Sequence, residues 1–284
     1  MKLVSSILFI VLGFAFAADD EGCIYQLSEN QQSVGSDDII LTFLQDWQIT
    51  WASQVLGIDC WDDGGSTYVI FSNATDDMLG SLDPTTGATG PVSCTLDPAN
   101  DTCFGVAYDD EATTPLWVTS DWGITDNFCS YDLISWFTEA DPYGQSGRGM
   151  AHDGTDFWIA DYYGGVYRYQ PGGSQTAYSI PEVGSGVSGL AAFPYGGDIL
   201  VVVTCYQNYN LFFYNFDGST LSYLGSAACP VSTYRSYGLA YSENRGTILW
   251  SYAPVASDYR IAELDFSLTA LDRTTWGELK TVFQ

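Results

Sequence analysis

The sequence is poor in basic residues and almost without histidine. Of its 284 residues only 8 are lysine or arginine and 1 is histidine, against 35 aspartates and glutamates, so the formal net charge at pH 7 is -27. A chain with this charge repels nucleic acids and anionic membranes through its long-range field. We therefore expect no nucleic-acid partner, and we expect cations or basic molecules to be attracted.

Several motifs and segments are also absent. No apolar run after Phe16 is long enough to cross a bilayer, so no membrane span is predicted. The sequence contains no Cys-x-x-Cys pair, no phosphate-binding loop and no serine nucleophile elbow. These absences argue against a zinc site and against nucleotide chemistry, and they favour a protein that is not an enzyme.

The beginning of the chain has the three parts of a signal peptide. Lys2 precedes an apolar run that ends at Phe16, and Ala15-Phe16-Ala17 supplies small residues around a cleavage site. The sequence predicts a signal peptide at residues 1–17 and a secreted domain at residues 18–284. An N-terminal anchor that is never cleaved is the alternative.

Cysteines and glycosylation motifs agree with an extracellular location. In an oxidising compartment the 7 cysteines would form disulfides and leave one over. The pairs nearest in sequence are Cys94 with Cys103 and Cys205 with Cys229, and we predict both bridges. Asn73 and Asn100 each begin an Asn-x-Thr glycosylation motif.

One short pattern repeats five times along the chain. It begins with glycine and an apolar residue, at Gly57-Ile58, Gly105-Val106, Gly149-Met150, Gly189-Leu190 and Gly238-Leu239, with gaps of 48, 44, 40 and 49 residues. About ten residues later each repeat has a second apolar strand, and an alternating third strand and a weaker fourth strand follow. The period and the four strands per repeat predict an all-β fold, a single β-propeller.

The number of blades depends on the ends of the chain. Five repeats are visible, and residues 18–56 with 274–284 supply about one blade more. We predict six four-stranded blades, with the last blade shared by the two termini. Five blades with N-terminal strands added at an edge is the alternative.

The blades resemble those of secreted and periplasmic propellers of the NHL-repeat, gluconolactonase-like and YncE-like type. The resemblance rests on Gly238-Leu239-Ala240-Tyr241, on Leu116-Trp117-Val118, and on strands that end as Leu82-Asp83-Pro84 does. The lactonase-like members hold a calcium ion in the central tunnel with Glu, Asp and Asn of inner strands. The resemblance implies Asp59, Asp109 and Asp153 as ligands here, although no matching glutamate is present.

Propellers usually bind ligands at the loops that follow the second strand and precede the first. Carboxylates, aromatic rings and two arginines occupy these loops. Such a rim suits a sugar or a basic peptide, whereas the alternative is that the rings fill space between blades and the aspartates form turns. The predicted binding rim comprises Trp51, Asp121, Trp122, Arg148, Asp161, Tyr162, Tyr206, Arg235, Tyr237 and Tyr252, and Asn73 lies in the same loops.

The first functional hypothesis is a secreted, non-enzymatic propeller that binds an extracellular glycan, a matrix protein or copies of itself. The second is a calcium-dependent, lactonase-like hydrolase or lyase, in which His152 would lie near the tunnel. The third is a structural subunit of an extracellular coat or fibre. No cofactor other than calcium is predicted.

Overall fold

The computed structural model describes residues 39–93, 103–109, 115–120, 127–132, 136–140 and 147–268. Apart from one 3-10 turn at Ala74–Asp76, these residues form β-strands and the loops between them, which confirms the all-β prediction. None of the helical structure in these ranges is long and apolar enough to cross a membrane. The predicted signal peptide, Cys94, Asn100, Asp121 and Trp122 lie outside the described residues.

The strands form five antiparallel sheets of four. In chain order they are β1 (Ile39–Gln48), β2 (Val55–Asp63), β3 (Ser66–Asn73), β4 (Met78–Asp83), β5 (Ala88–Pro91), β6 (Cys103–Tyr108), β7 (Leu116–Ser120), β8 (Asn127–Tyr131), β9 (Trp136–Ala140), β10 (Gly147–His152), β11 (Phe157–Asp161), β12 (Gly165–Tyr169), β13 (Gln175–Ser179), β14 (Val187–Tyr195), β15 (Asp198–Cys205), β16 (Asn210–Phe216), β17 (Leu221–Ala228), β18 (Arg235–Ser242), β19 (Thr247–Ala253) and β20 (Arg260–Leu268). Blade 1 is β2–β5, blade 2 is β6–β9, blade 3 is β10–β13, blade 4 is β14–β17, and blade 5 is β18–β20 with β1 as its outer strand.

The pairing of β1 shows how the propeller closes. This strand is antiparallel to β20, so an early part of the chain completes the blade that a late part begins. The inner strand β18 of blade 5 lies directly against the inner strand β2 of blade 1. A sixth blade would have to separate these two strands. The prediction of six blades is therefore corrected to five, and the alternative with an N-terminal edge strand is confirmed.

Glycine is required where the inner strands approach one another. A Cβ atom on Gly57 would overlap backbone atoms of Phe104 and Gly105, and one on Gly238 would overlap backbone atoms of Leu56 and Ile58. Gly149 and Gly189 meet the next inner strand in the same way. Because a larger residue would push two blades apart, the repeated glycine sets the close spacing of the ring around the axis.

A hydroxyl group on the second strand connects three of the blades to their neighbours. The register of the inner strand shifts beside the repeated glycine, as between Ser236 and Leu239, so the glycine N–H needs another acceptor. Ser251 accepts the Gly238 N–H at 2.6 Å and donates to the Leu56 carbonyl of blade 1 at 2.6 Å. Ser72 and Thr119 form the equivalent links from blades 1 and 2.

The hydrophobic core lies between blades. Along the second strands successive residues point to opposite faces, and both faces are covered, so these strands are apolar throughout. In blade 4, Val201 and Val203 pack against blade 3, where they meet Trp158. Val202 packs instead against blade 5, where it meets Trp250. Each blade is therefore held mainly by its two neighbours.

The structure does not contain the predicted bridge between Cys205 and Cys229. Cys205 ends β15 and Cys229 follows β17, and β16 lies between these strands. Two strand spacings amount to about 9.5 Å, whereas a disulfide needs Cα atoms within about 7 Å. Both residues are thiols, and burial raises the pKa of each to about 12. The other predicted bridge includes Cys94, outside the described residues.

Candidate functional site

A pocket lies on the propeller axis at the ends of the inner strands. It has a volume of about 240 Å³, and residues from all five blades line it. Every inner strand runs the same way along the axis, so the residues that follow the repeated glycines meet at one end. Three residues that the sequence-based hypotheses name line this pocket, Asp59, His152 and Asp153.

Asp59 occupies a position that alanine takes in the other four blades. The corresponding residues are Ala107, Ala151, Ala191 and Ala240, which are buried close to the axis. Among the described inner strands, blade 1 therefore places a carboxyl group where its counterparts place a methyl group. This difference makes Asp59 the most unusual substitution in the repeat.

The Asp59 carboxylate bridges two blades. Its Oδ2 accepts the Tyr108 N–H of blade 2 at 2.7 Å, and its Oδ1 accepts the Cys60 N–H at 2.8 Å. Burial raises the pKa of Asp59 to about 7, and the two backbone hydrogen bonds offset only part of that rise. Near neutral pH the group therefore exists in both protonation states and can donate or accept a hydrogen bond.

His152 lies beside a carboxylate from the neighbouring blade. Its Nδ1 is 3.8 Å from Oδ1 of Asp109, and both side chains are largely buried. The imidazole also packs on the ring of Phe157, with centroids 4.7 Å apart. A histidine fixed by a carboxylate and a ring can accept a proton or hydrogen-bond a ligand.

Asp153 is committed to a turn. Its Oδ1 accepts the N–H groups of Thr155 and Asp156, and its Oδ2 accepts the indole N–H of Trp158 at 2.7 Å. Within the described ranges no group of three or more His, Cys, Asp or Glu side chains is arranged to hold a metal ion. Asp59, Asp109 and Asp153 lie at one end of the axis, but they do not form a calcium cage there.

Aromatic rings and acids make up much of the remaining wall. Tyr108 stacks on Trp61, and Tyr241 stacks on Phe193 with centroids 3.7 Å apart. Glu243 adds a further carboxylate, and no lysine or arginine is among the described residues that line the pocket. Arg245 interacts electrostatically with Cys60 and Asp62 of the wall, but it is paired with Glu263. The pocket thus offers flat apolar faces and hydrogen-bond acceptors, with an excess of negative charge.

Part of the predicted binding rim gathers at the other end of the axis. The Arg148 guanidinium lies 4.1 Å from the ring centroid of Phe104 and 4.9 Å from that of Tyr162. The Arg235 guanidinium lies 4.7 Å from the ring centroid of Tyr206. Burial at this end raises the pKa of Tyr237, whose ring meets that of Tyr206 edge-on.

Three other members of the predicted rim form structural contacts. Asp161 accepts the N–H groups of Tyr163 and Gly165 and the hydroxyl of Tyr167 in a tight turn. The Tyr252 hydroxyl donates to Asp46 of β1 at 2.5 Å. The Trp51 indole donates to Thr89 at 3.2 Å. As ligand contacts these residues stay predictions, since the hydrogen bonds described for them run to other residues of the fold.

Asn73 is fully buried and bonded within blade 1. Its Oδ1 accepts the N–H groups of Ser53 and Gln54, and its Nδ2 donates to Asp76 at 2.7 Å. A glycan is attached through that same Nδ2 atom and needs open space around it. We therefore correct the sequence interpretation: this fold does not accommodate a glycan on Asn73.

Sequence reasoning missed the aromatic residues of the pocket wall and the pairing of His152 with Asp109. Tyr108 and Tyr241 both lie three residues after a repeated glycine, as His152 does, so the repeat itself could have identified them. The pairing of His152 with Asp109 was harder to find, because it joins inner strands of two different blades. The predicted rim instead followed the general tendency of propellers and pointed to the opposite end.

Comparisons with known proteins support the fold alone. No family model matches the chain, and no curated protein does. Myxococcus xanthus glutaminyl cyclase is similar at 12% identity and a TM-score of 0.54, covering 81% of this chain and 97% of its own. A protein provisionally named a gluconolactonase has 16% identity, a TM-score of 0.51 and coverage of 82% and 94%. A GH43_1 enzyme from Xanthomonas citri has 9% identity, a TM-score of 0.54 and coverage of 80% and 90%.

Proposed function

We propose that this protein is a secreted, non-enzymatic binding propeller whose axial pocket takes a cationic side chain of an extracellular partner protein. The supporting observation is the composition of the pocket wall as far as the structure describes it, which combines Asp59, Asp62, Asp153 and Glu243 with aromatic faces and includes no lysine or arginine. Secretion rests on the signal-peptide pattern of residues 1–17.

The charge of the whole molecule supports a cationic ligand over an anionic one. At a net charge of -27 the long-range field raises the local concentration of cations and speeds their encounter. Inside the pocket, Tyr108 and Tyr241 present ring faces that attract an ammonium or guanidinium group. A neutral sugar would use the same rings but would gain nothing from the field.

Asp59 makes the proposed binding depend on pH. Its pKa of about 7 means that it is mainly protonated at pH 5.5 and mainly ionised at pH 8. A ligand that stays cationic over this range binds the ionised form better, so affinity should rise as the pH rises through 7. A neutral ligand should show no such rise.

The test compares Nα-acetyl-lysine amide with Nα-acetyl-norleucine amide, which has a similar side chain without charge. We expect calorimetric titration at fixed ionic strength to detect only the lysine compound, more tightly at pH 8 than at pH 5.5. Asp59→Asn should weaken binding at pH 8 about tenfold, because hydrogen bonds to charged groups contribute about 1.5–3 kcal/mol.

Asp63→Asn is the matched control, since Asp63 lies on the same strand and is exposed outside the pocket wall. It removes the same charge and should change affinity less than twofold. Equal binding of the two amides, or an equal effect of the two variants, would contradict a cation-specific pocket. Binding of glucose instead would move the proposal to a glycan ligand.

A second candidate function is hydrolysis by general acid and base, which the His152–Asp109 pair specifically favours. A protonated Asp59 would give its proton to the leaving group, and His152 would take a proton from the attacking water. Turnover of a lactone or glycoside that His152→Ala and Asp109→Asn both abolish would establish this function. No turnover of either substrate class would remove it.

A further inference from the structure

Arg235 has no acidic partner that the structure shows, whereas three other arginines each pair with a carboxylate. Arg168 pairs with Asp156, Arg245 with Glu263, and Arg260 with both Asp46 and Asp258. Within the described residues, no ion pair to a carboxylate is found for Arg235, although the chain has 35 aspartates and glutamates.

Burying the charged guanidinium of Arg235 costs free energy of desolvation. The residue is 9% exposed, and its guanidinium donates from Nη1 to the Tyr234 carbonyl at 3.2 Å and also hydrogen-bonds the Tyr206 side chain. A buried charge is stable only when hydrogen bonds or an opposite charge compensate for lost hydration. A guanidinium has five N–H donors, so these two contacts leave part of its hydrogen-bonding capacity unused.

Tyrosine rings surround this guanidinium. Its central carbon lies 4.1 Å from the ring centroid of Tyr234 and 4.7 Å from that of Tyr206. Tyr237 and Tyr259 extend the group, and the Tyr209 hydroxyl donates to the Tyr234 carbonyl. We call Arg235 with these five tyrosines the tyrosine cage.

The tyrosine cage reaches solvent and is separate from the axial pocket. Tyr234 and Tyr209 are 45% and 43% exposed, so a ligand can approach from that side. Arg235 begins β18, whereas Tyr241 of the pocket lies near the end of the same strand. Six residues of extended strand separate the two sites by about 20 Å.

We infer that the tyrosine cage binds an organic monoanion, a carboxylate carried on an apolar or aromatic body. A carboxylate accepts two parallel hydrogen bonds from a guanidinium and supplies the charge that Arg235 lacks. The tyrosine rings bury the apolar body by stacking. The single guanidinium of the cage matches a single negative charge. A dianion would be repelled more strongly by this acidic molecule and would find no second cation in the cage.

Benzoate and benzamide test this inference, because they share shape and differ in charge. We expect equilibrium titration at constant ionic strength to give a millimolar dissociation constant for benzoate and at least tenfold weaker binding for benzamide. Arg235→Gln should weaken benzoate binding at least tenfold, while Arg235→Lys, which keeps the charge, should retain part of it.

Arg260→Gln is the matched control. Arg260 begins β20, which runs parallel to β18, so it lies at the same end of the propeller and already has two carboxylate partners. Its loss should change benzoate affinity less than twofold. If native protein does not bind benzoate, or binds benzamide equally well, or if both glutamine variants lose binding equally, the inference is wrong. Should Arg235→Gln fail to fold, equal benzoate binding by native protein and Arg235→Lys would also contradict it.

Discussion

The hydroxyl links between blades predict that the removal of one buried hydroxyl group will destabilise the propeller. In Ser251→Ala the Gly238 N–H and the Leu56 carbonyl both lose the hydroxyl that now lies 2.6 Å from each. Leaving a buried polar group unsatisfied costs about 1–3 kcal/mol. Two such groups give an expected loss of about 3 kcal/mol in the free energy of unfolding.

This loss is large enough to measure by thermal unfolding. In a domain of this size 1 kcal/mol corresponds to about 2–4 °C, so the midpoint should fall by about 6–12 °C. Circular dichroism and calorimetry in the same buffer would measure it. Ser222→Ala is the control, because Ser222 is exposed on β17 and should change the midpoint by less than 2 °C, in line with a surface effect of about 0.5 kcal/mol.

A small effect at Ser251 would refute the reasoning. If Ser251→Ala melts within 2 °C of the native protein, a water molecule or a backbone shift must satisfy both groups. Blade 3 gives an independent check, since Ala160 stands where the linking hydroxyl lies in blades 1, 2 and 5. Ala160→Ser should be neutral or stabilising if the hydroxyl has the role that we assign to it.

Three further predictions follow from burial, spacing and charge. Asp59 has a folded pKa of about 7, above its unfolded value of 3.8, so the folded state binds more protons and stability should rise as pH falls from 7 to 5. Urea unfolding should show a gain of roughly 1 kcal/mol per pH unit over this range, and Asp59→Asn should remove that gain. Gly189→Ala should lower the free energy of unfolding by more than 3 kcal/mol or prevent folding, because its Cβ would overlap backbone atoms of the next blade. The control is Gly90→Ala, whose Cβ meets no atom, and it should leave expression and the melting temperature nearly unchanged. Arg245→Gln should destabilise the protein by about 3 kcal/mol at pH 7, since it removes the bidentate partner of the buried Glu263. Burial raises the pKa of Glu263, but the hydrogen bonds from Arg245, Gln45 and Thr247 outweigh it and lower that pKa, so the loss should shrink as the pH falls through the lowered pKa.

The repeat could be predicted from sequence because its causes are local. Glycine followed by an apolar residue and a small residue is what an inner strand needs beside its neighbours, and Gly57 to Gly238 all have that role. The second strands are apolar on both faces for the same reason. The all-β propeller was therefore within reach of pattern reasoning.

The blade count and the disulfide could not be derived in that way. The strand β1 lies within residues 18–56, which are predicted to supply part of a blade, but it pairs with β20, more than two hundred residues later. Cys205 and Cys229 are close in sequence, yet β16 separates them in the sheet. When several strands have similar sequence patterns, their separation along the chain says little about which of them become neighbours in a sheet.

For a similar reason, only part of the candidate site could be predicted from the sequence. The resemblance to lactonase-like propellers implies Asp59 and Asp109 as ligands and His152 near the tunnel, and the structure places all three at one end of the axis. Their chemistry depends on contacts between blades, such as the Tyr108 N–H to Asp59, which no single repeat contains. A pattern within one repeat identifies positions but not partners.

Closure by β1 has a consequence for biosynthesis. The residues that β1 pairs with begin at Arg260, 212 positions after its own end at Gln48. At about 5–20 residues per second the ribosome needs roughly 10–40 s to make that interval. Throughout that time the backbone N–H and C=O groups of β1 that pair with β20 in the folded protein have no partner strand. A nascent chain of this design therefore needs a chaperone, or it must aggregate more slowly than the ribosome completes it.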